Sequence, residues 1–193
     1  GVLIRDGEMR YWITHSWLCT NSKDLHRLKI PWKQWAKEGY LTIVDDVEID
    51  PKYITNWIAE QAIKYNIPKI ALDGFRYNLV SNALKDIGFD WKEYKNVKLV
   101  RPSDIMIVSP VIESCFNKQL FVWGDNPLMR WYTNNTKMIR TGINKTTGNM
   151  TYGKIEPKSR KNDGFMALVA AMTIENELGT GESTFADLPV IVG

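Results

Sequence analysis

The alternation of helix and strand patterns between residues 50 and 100 constrains the fold more than any other feature of this sequence. Asp50-Pro51 is typical of a helix start, because the Asp side chain can accept hydrogen bonds from the first turn and proline suits the first helical position. Apolar residues recur at helical spacing as far as Tyr65, and an apolar strand pattern, Ile70–Asp73, follows. A second helix at about 77–87 and a strand at 97–100 continue the series. The alternation predicts an α/β fold in which helices cover parallel strand pairs.

Shorter elements are predicted on both sides of this unit. Asp6-Gly7 is typical of a type I′ turn and predicts a hairpin between strands at 2–4 and 9–17. Pro110 is expected to bend or divide a helix at about 103–118. The other predicted elements are strands at 40–44 and 120–123, helices at 32–37, 126–134 and 163–177, and a hairpin of strands at 137–141 and 150–155 around the turn-rich segment 142–149.

Composition limits the classes of function that the chain can have. Its 193 residues, 44% hydrophobic and 24% charged, are typical of a folded protein, and we expect one domain at 1–178 and a C-terminal tail at 179–193. No apolar run reaches the roughly 18–20 residues of a membrane span. Two cysteines and two histidines argue against a disulfide scaffold, a zinc site and a Ser-His triad, and favour a reducing cytoplasm. A formal net charge of +3 is compatible with nucleic-acid binding, and the sequence lacks the GxxxxGKS/T loop of ATPases.

Asp73 and Asp163 stand out among the acidic residues by their positions. Asp73 ends the apolar run that begins at Ile70, where open α/β sheets bind ligands, and it is also suited to cap the next helix. Asp163 begins an apolar helix and can offset its dipole, while Gly164 permits close approach of backbone or a ligand. Carboxylates at neighbouring element ends can also hold paired Mg²⁺ or Mn²⁺ and activate water for attack on a phosphodiester. Both interpretations, structural caps and metal ligands, remain open at this point.

Basic residues are concentrated in the region before Asp163. Those nearest to it are Lys158, Arg160 and Lys161, and the predicted hairpin carries Lys137, Arg140, Lys145 and Lys154. A cluster of this kind is ordinarily a solvated surface. Beside a metal site, it would instead contact DNA phosphates, and binding would depend strongly on salt.

Four stretches of the chain, taken in order, resemble the C-terminal nuclease domain of the large terminase subunits of tailed phages. These stretches are PWKQWAKEGYLT at 31–42, IALDGFRYN at 70–78, NPLMRW at 126–131 followed by Asn134, and KSRKNDGFMAL at 158–168. The resemblance covers most of the chain from Val2 to Leu178. It implies a ribonuclease H-like fold, a mixed sheet flanked by helices, and cleavage of double-stranded DNA with two divalent metals, Mg²⁺ or Mn²⁺.

The resemblance also implies roles for individual residues. Asp73 and Asp163 match catalytic, metal-binding carboxylates, and Asn134 matches a structural residue. Arg76 and Lys158 lie close to the matched acids and are expected to contact the scissile phosphate. An enzyme of this family cuts concatemeric viral DNA in the cytoplasm of the host cell. Its partners are an N-terminal ATPase domain, a portal protein and a small terminase subunit.

In one respect the sequence departs from the family. The family's first strand carries another catalytic Asp and lies between the hairpin and the Asp73 strand, and we expect this sequence to begin too late to contain it. Neither Asp6 nor Glu8, at the hairpin turn, is a natural substitute. Without this strand, backbone groups inside the sheet are unpaired, and metal binding and cleavage are expected to be weak. We expect the sequence to be a fragment of a longer polypeptide; the alternatives are a strand from another chain or from residues 188–192.

Two other functions are compatible with the same residues. Without the first acid, the chain would be a catalytically incomplete module that binds DNA or docks to a portal or another packaging subunit. Transposases, integrases and junction resolvases share the fold and the carboxylate-and-metal chemistry, so the structure of the DNA that is cut separates them from terminases.

Overall fold

The computed structural model of the chain describes residues 1–141 and 149–178. Its strands are β1 (Val2–Asp6), β2 (Met9–Ile13), β3 (Ser16–Cys19), β4 (Leu41–Val44), β5 (Ile70–Asp73), β6 (Val97–Val100), β7 (Phe121–Val122), β8 (Thr136–Thr141) and β9 (Asn149–Lys154). Its helices are α1 (Trp32–Lys37), α2 (Pro51–Ala62), α3 (Tyr77–Asp86), α4 (Pro102–Asn117), α5 (Pro127–Asn134) and α6 (Asp163–Met172). Short 3₁₀ turns cover Leu25–Arg27, Gly74–Arg76 and Glu175–Glu177. The elements predicted between residues 50 and 100 are confirmed, and the fold is mixed α/β.

The strands form four hydrogen-bonded groups within the described residues. β1 and β2 are antiparallel, and β7 pairs with β2 in parallel. β3 with β4, and β5 with β6, are parallel pairs, as the alternation of strands and helices predicts. β8 and β9 form the predicted antiparallel hairpin. The turn between them at 142–148 and the predicted tail at 179–193 lie outside the described residues.

The turn of the N-terminal hairpin differs from its prediction by one residue. Asp6 pairs with Met9, so the central turn residues are Gly7 and Glu8 rather than Asp6 and Gly7. Only Gly7 of these two has a positive φ, which is +56°. This is the pattern of a type II′ turn, in which glycine is favoured at the first central position.

The single strand predicted at residues 9–17 is two strands in the structure. β2 ends at Ile13, whereas β3 begins at Ser16 and pairs with β4 instead of the hairpin. Between them, His15 Nε2 lies 2.8 Å from Thr42 Oγ1, a contact that holds the chain against β4. Because aromatic and β-branched residues continue across the break, the sequence pattern does not mark it.

Local hydrogen bonds explain where two of the helices begin. Asp50 Oδ1 accepts from the Lys52 amide at 2.9 Å in α2, and Asn126 Oδ1 accepts from the Met129 amide at 2.9 Å in α5.

The proline predicted to bend or divide a helix, Pro110, does not divide α4, which runs through it as one helix. Buried residues on both sides of the proline keep the helix packed. No helix in the described ranges is long and apolar enough to cross a membrane.

α6 lies at the centre of the main core. Leu168 and Val169 are completely buried, and the helix packs against β1, β5, α4 and α5. It ends at Met172, before the predicted end at residue 177. The Lys98 ammonium of β6 donates to the Thr173 carbonyl at 3.0 Å and satisfies one of the carbonyls left free at the helix end.

An apolar cavity of about 300 Å³ lies between β1 and β5. It is lined by Val2 and Leu3 of β1, by Ile70–Leu72 of β5, and by Ala167 and Ala171 of α6. Within the described residues, β1 pairs only with β2 and β5 pairs only with β6, so each strand has an unpaired edge. Among the described residues, no strand pairs with both β1 and β5, where the resemblance places the first strand of the family.

Candidate functional site

Asp73 and Asp163 lie at the same end of the layer formed by β5 and α6. At the opposite end, the ammonium of Lys69, just before β5, forms an ion pair with Glu177, just after α6. α6 therefore runs antiparallel to β5. The ten residues of α6 and the four of β5 span about 15 Å and about 13 Å. The first residue of α6 and the last residue of β5 are thus directed toward one edge of the fold.

Asp73 has a capping role and a free oxygen. Its Oδ1 accepts from the Phe75 amide at 3.0 Å, so Asp73 caps the 3₁₀ turn Gly74–Arg76, which leads into α3, rather than the predicted helix itself. The residue is exposed, and its carboxylate forms no other hydrogen bond or ion pair with the described residues. Arg76, predicted near the scissile phosphate, ends the same 3₁₀ turn. The cap leaves Asp73 Oδ2 available for another ligand.

Asp163 begins α6 at the surface, directly before a tightly packed glycine. The Asp163 side chain is exposed and forms no hydrogen bond or ion pair with the described residues. A Cβ at Gly164 would lie 2.4 Å from the Tyr132 ring of α5, so the predicted close approach is made by a side chain. The Tyr132 hydroxyl lies 3.2 Å from Ser16 Oγ. Burial raises the pKa of Tyr132 to about 12, and the negative charge of Asp163 adds to this rise.

Glu156–Lys161, here called the basic segment, connects β9 to α6 and is held by local hydrogen bonds. The Glu156 carboxylate accepts from the Lys158 amide at 2.8 Å and from the Ser159 amide at 2.6 Å. It also accepts from the Ser159 hydroxyl. These bonds, the hydroxyl bond first, lower the pKa of Glu156 to about 2. The carboxylate therefore organises the turn that carries Lys158.

Asn135, the residue after α5, holds the basic segment from the interior. Its side chain is completely buried, and its Nδ2 donates to the Lys161 carbonyl at 2.9 Å. Its Oδ1 accepts from Arg160 Nη1 at 3.2 Å, and its backbone carbonyl accepts from the Ile155 amide at 2.8 Å. Asn134, for which the resemblance implies a structural role, is exposed, and Asn135 makes these contacts instead.

The cations of the basic segment have different environments. Lys161 is half-buried, and its Nζ lies 2.9 Å from Asp24 Oδ2. The hydrogen bond and charge of Lys161 lower the pKa of Asp24. Lys158 and Arg160 are exposed and form no ion pair with an acid in the described residues. These two residues place positive charge just before α6, and the charge of Lys158 contributes to the lowered pKa of Glu156.

The predicted basic residues of the hairpin do not share one face. Side chains alternate along a strand, and the register places Lys154 and Arg140 on the face that carries Tyr152. Lys137 lies on the opposite face. Lys145 lies outside the described residues. The hairpin therefore does not present these cations as a single surface.

The carboxylates of the site form a small donor set. Within residues 1–141 and 149–178, no group of three or more His, Cys, Asp or Glu side chains is arranged to hold a metal ion. Mg²⁺ ordinarily takes one or two carboxylates and completes its shell with water and phosphate oxygens. A second ion needs additional ligands.

Sequence reasoning did not identify Asn135, Asp24 and Tyr132 as parts of the site. Asn135 and Lys161 are separated by 26 positions, and Asp24 and Lys161 by 137. These contacts depend on the packing of distant elements, and no local sequence motif predicts them. The one available signal was the adjacent Asn134-Asn135 pair at the end of a predicted helix.

Comparison with known proteins gives one informative similarity. No protein-family model matches the chain, and no curated protein matches its sequence. A crystal structure of the large terminase of bacteriophage HK97 is similar to this chain, with a TM-score of 0.65 and 18% sequence identity. The match covers 81% of this chain and 32% of that terminase, so the chain spans about a third of its length. The chain has a terminase-like, ribonuclease H-like α/β fold.

Proposed function

We propose that this chain is the DNA-cutting domain of a phage packaging terminase large subunit, a divalent-metal-dependent endodeoxyribonuclease that acts on concatemeric viral DNA. The observation that carries the proposal is the pair of exposed carboxylates, Asp73 and Asp163, at one end of the β5–α6 layer. The similarity to the HK97 large terminase supports it as an analogy of fold.

In this proposal, Asp73 and Asp163 hold Mg²⁺ or Mn²⁺, for which carboxylate oxygens are suitable ligands. A bound metal would stabilise negative charge on a phosphate and lower the pKa of water. The bond from the Phe75 amide orients the Asp73 carboxylate, and the packing of Gly164 on Tyr132 fixes the helix start that carries Asp163. For the second ion of the proposed pair, further ligands have to come from outside the described residues.

The basic segment supplies the proposed contacts to DNA. Lys158 and Arg160 are exposed, form no ion pair in the described residues and precede Asp163 by a few positions. Contacts with phosphates orient a duplex but carry no base information, so we expect low sequence preference. An ATPase domain, a portal protein and a small terminase subunit are the proposed partners in packaging, and the host cytoplasm is the proposed location.

Cleavage of supercoiled plasmid in Mn²⁺, Mg²⁺ or EDTA tests the proposal directly. We expect metal-dependent nicking or linearisation by the wild-type chain. Asp73→Asn and Asp163→Asn should each lower the rate about 100-fold or more, because each removes a charge that binds metal. Asparagine at position 73 can still accept from the Phe75 amide, so the cap is kept and loss of activity is separated from loss of fold.

Asp50→Asn is the matched control. Asp50 caps α2 through a bond of the same kind, from the amide two residues later, at 2.9 Å. This variant should cut DNA at the wild-type rate. Wild-type activity in Asp73→Asn or in Asp163→Asn would remove that residue from the proposed centre, whereas a folded chain that never cuts would favour the alternative below.

The two-carboxylate donor set favours one alternative, a module that binds DNA or docks to a portal without cutting. The module predicts DNA retention that weakens steeply with salt and no metal-dependent cleavage. Mobility-shift assays at low and high salt test it, and absence of retention at low salt would exclude DNA binding. Selective cutting of a four-way junction over a duplex would instead point to resolvase chemistry.

A further inference from the structure

The contacts of Asn135 connect the protein interior to an exposed positive charge near Asp163. The Asn135 side chain has no solvent exposure, and its Oδ1 lies 3.2 Å from Arg160 Nη1. Its Nδ2 donates to the Lys161 carbonyl at 2.9 Å. One buried amide therefore fixes both the backbone of the basic segment and the direction of one of its side chains.

We infer that Asn135 is a positioning residue that holds the Arg160 guanidinium toward a DNA phosphate, an inference that rests on the proposed function. A guanidinium has five N–H donors, and only one nitrogen of Arg160 faces Asn135. The charge and the other donors remain available, since no acid in the described residues pairs with Arg160. A guanidinium held in place loses less conformational freedom when it binds a phosphate.

The neutrality of the Asn135 side chain is central to this inference. An amide oxygen accepts a hydrogen bond from arginine without cancelling its charge, whereas a carboxylate would compete with phosphate. Lys161 shows the contrast, because its Nζ lies 2.9 Å from Asp24 Oδ2 and its charge is compensated within the protein. Lys161 thus anchors the basic segment, and Arg160 is presented to the ligand.

Binding of a short DNA duplex in EDTA, measured as a function of salt concentration, tests these different roles of Lys161 and Arg160 without relying on cleavage. Arg160→Gln should reduce the slope of log K against log salt by about 0.9, the value for one phosphate contact. Lys161→Gln should change the slope much less than Arg160→Gln. Lys85→Gln is the control for charge removal, because the Lys85 ammonium lies 2.7 Å from Glu93 on the surface.

A double-mutant cycle tests the positioning step. Asn135→Ala should weaken duplex binding about 3–10-fold when Arg160 is present and much less in the Arg160→Gln background, where only its bond to the Lys161 carbonyl is lost. A purely structural Asn135 would weaken binding equally in both backgrounds. Because Asn135→Ala can disturb folding, Arg160→Lys is a second variant. It keeps the charge and the slope but loses the planar fork, so we expect affinity to fall about 3–10-fold.

The possible results separate this inference from the proposed function. If the wild-type chain does not bind the duplex at low salt, both the proposed function and the inference fail. If it binds, but Arg160→Lys has wild-type affinity or Asn135→Ala acts equally in both backgrounds, the positioning role is wrong and the proposed function stands. An equal loss of slope in Lys161→Gln and Arg160→Gln would contradict the division between the two cations.

Discussion

The tripeptide Asp-Gly-Phe occurs twice at the candidate site, at 73–75 and at 163–165, in opposite environments. In the first copy the Phe is 87% exposed, whereas in the second it is 4% exposed and belongs to the main core. A Cβ on the first glycine would meet Leu99 at 3.6 Å, an ordinary contact, while one on the second would lie 2.4 Å from the Tyr132 ring. Only the first Asp uses its side chain as a cap.

This difference shows that the two carboxylates are supported unequally. The start of α6 is held by a packed glycine, a buried phenylalanine and the hydrogen bonds of Asn135 to the basic segment. β5 is paired on one side only within the described residues, and it borders the cavity. A metal site that uses both carboxylates would therefore join a firmly packed half to a more weakly supported half.

Truncation of the two phenylalanines should give the largest difference in stability between the two halves of the candidate site. Phe165→Ala should lower the free energy of unfolding by about 3–5 kcal/mol, because the ring packs in the core. Its centroid lies 5.1 Å from that of the Tyr152 ring and 6.1 Å from that of the Phe116 ring. Phe75→Ala should change it by about 0.5 kcal/mol or less. Urea denaturation followed by tryptophan fluorescence measures both values, and similar losses would contradict the comparison.

Substitution of the two glycines by alanine should give a smaller difference in stability. Gly164→Ala should destabilise the fold by about 1–3 kcal/mol, because the new methyl group overlaps the Tyr132 ring. Gly74→Ala should be tolerated within about 0.5 kcal/mol. Thermal unfolding of both variants checks this order. The double variant Gly164→Ala with Tyr132→Ala should lose less than the sum of the single losses, and simple additivity would locate the strain elsewhere.

The pH dependence of stability should show the contribution of Glu156. We expect this to be the smallest of the three effects on stability. Its pKa is lowered to about 2 in the folded chain, so the ionised carboxylate stabilises the fold above its ordinary pKa of 4.5. This stabilisation is lost as the pH falls from 4.5 toward about 2. The difference in Tm between wild type and Glu156→Gln should be largest above pH about 5 and shrink toward pH about 2. A constant difference would contradict this role.

Sequence reasoning identified features that depend on neighbouring residues. The caps Asp50 and Asn126, each followed by proline, begin helices in the structure, because the donors that they satisfy lie two or three residues away. The parallel strand pairs followed from the alternation of elements. The sequence pattern places Asp73 at the end of a strand and Asp163 at the start of a helix, and both positions are confirmed.

Other features were not predictable because they depend on distant packing. The break between β2 and β3 reflects the pairing of β3 with β4, and the carbonyl just after the end of α6 accepts a hydrogen bond from a lysine of β6. The different environments of Lys161 and Arg160 depend on Asp24 and Asn135, which lie far away in the sequence. Nothing in two identical Asp-Gly-Phe tripeptides indicates which phenylalanine is buried.

The cavity between β1 and β5 has a consequence for the volume of the folded state. Unfolding under hydrostatic pressure is favoured by the elimination of internal voids, so any part of this space that holds no water makes the molar volume of unfolding more negative. Compression should therefore act first on the contacts among β1, β5 and α6 that line the cavity. Trp17 and Trp57 line the cavity with their rings 6.4 Å apart, so their emission responds when water enters this space.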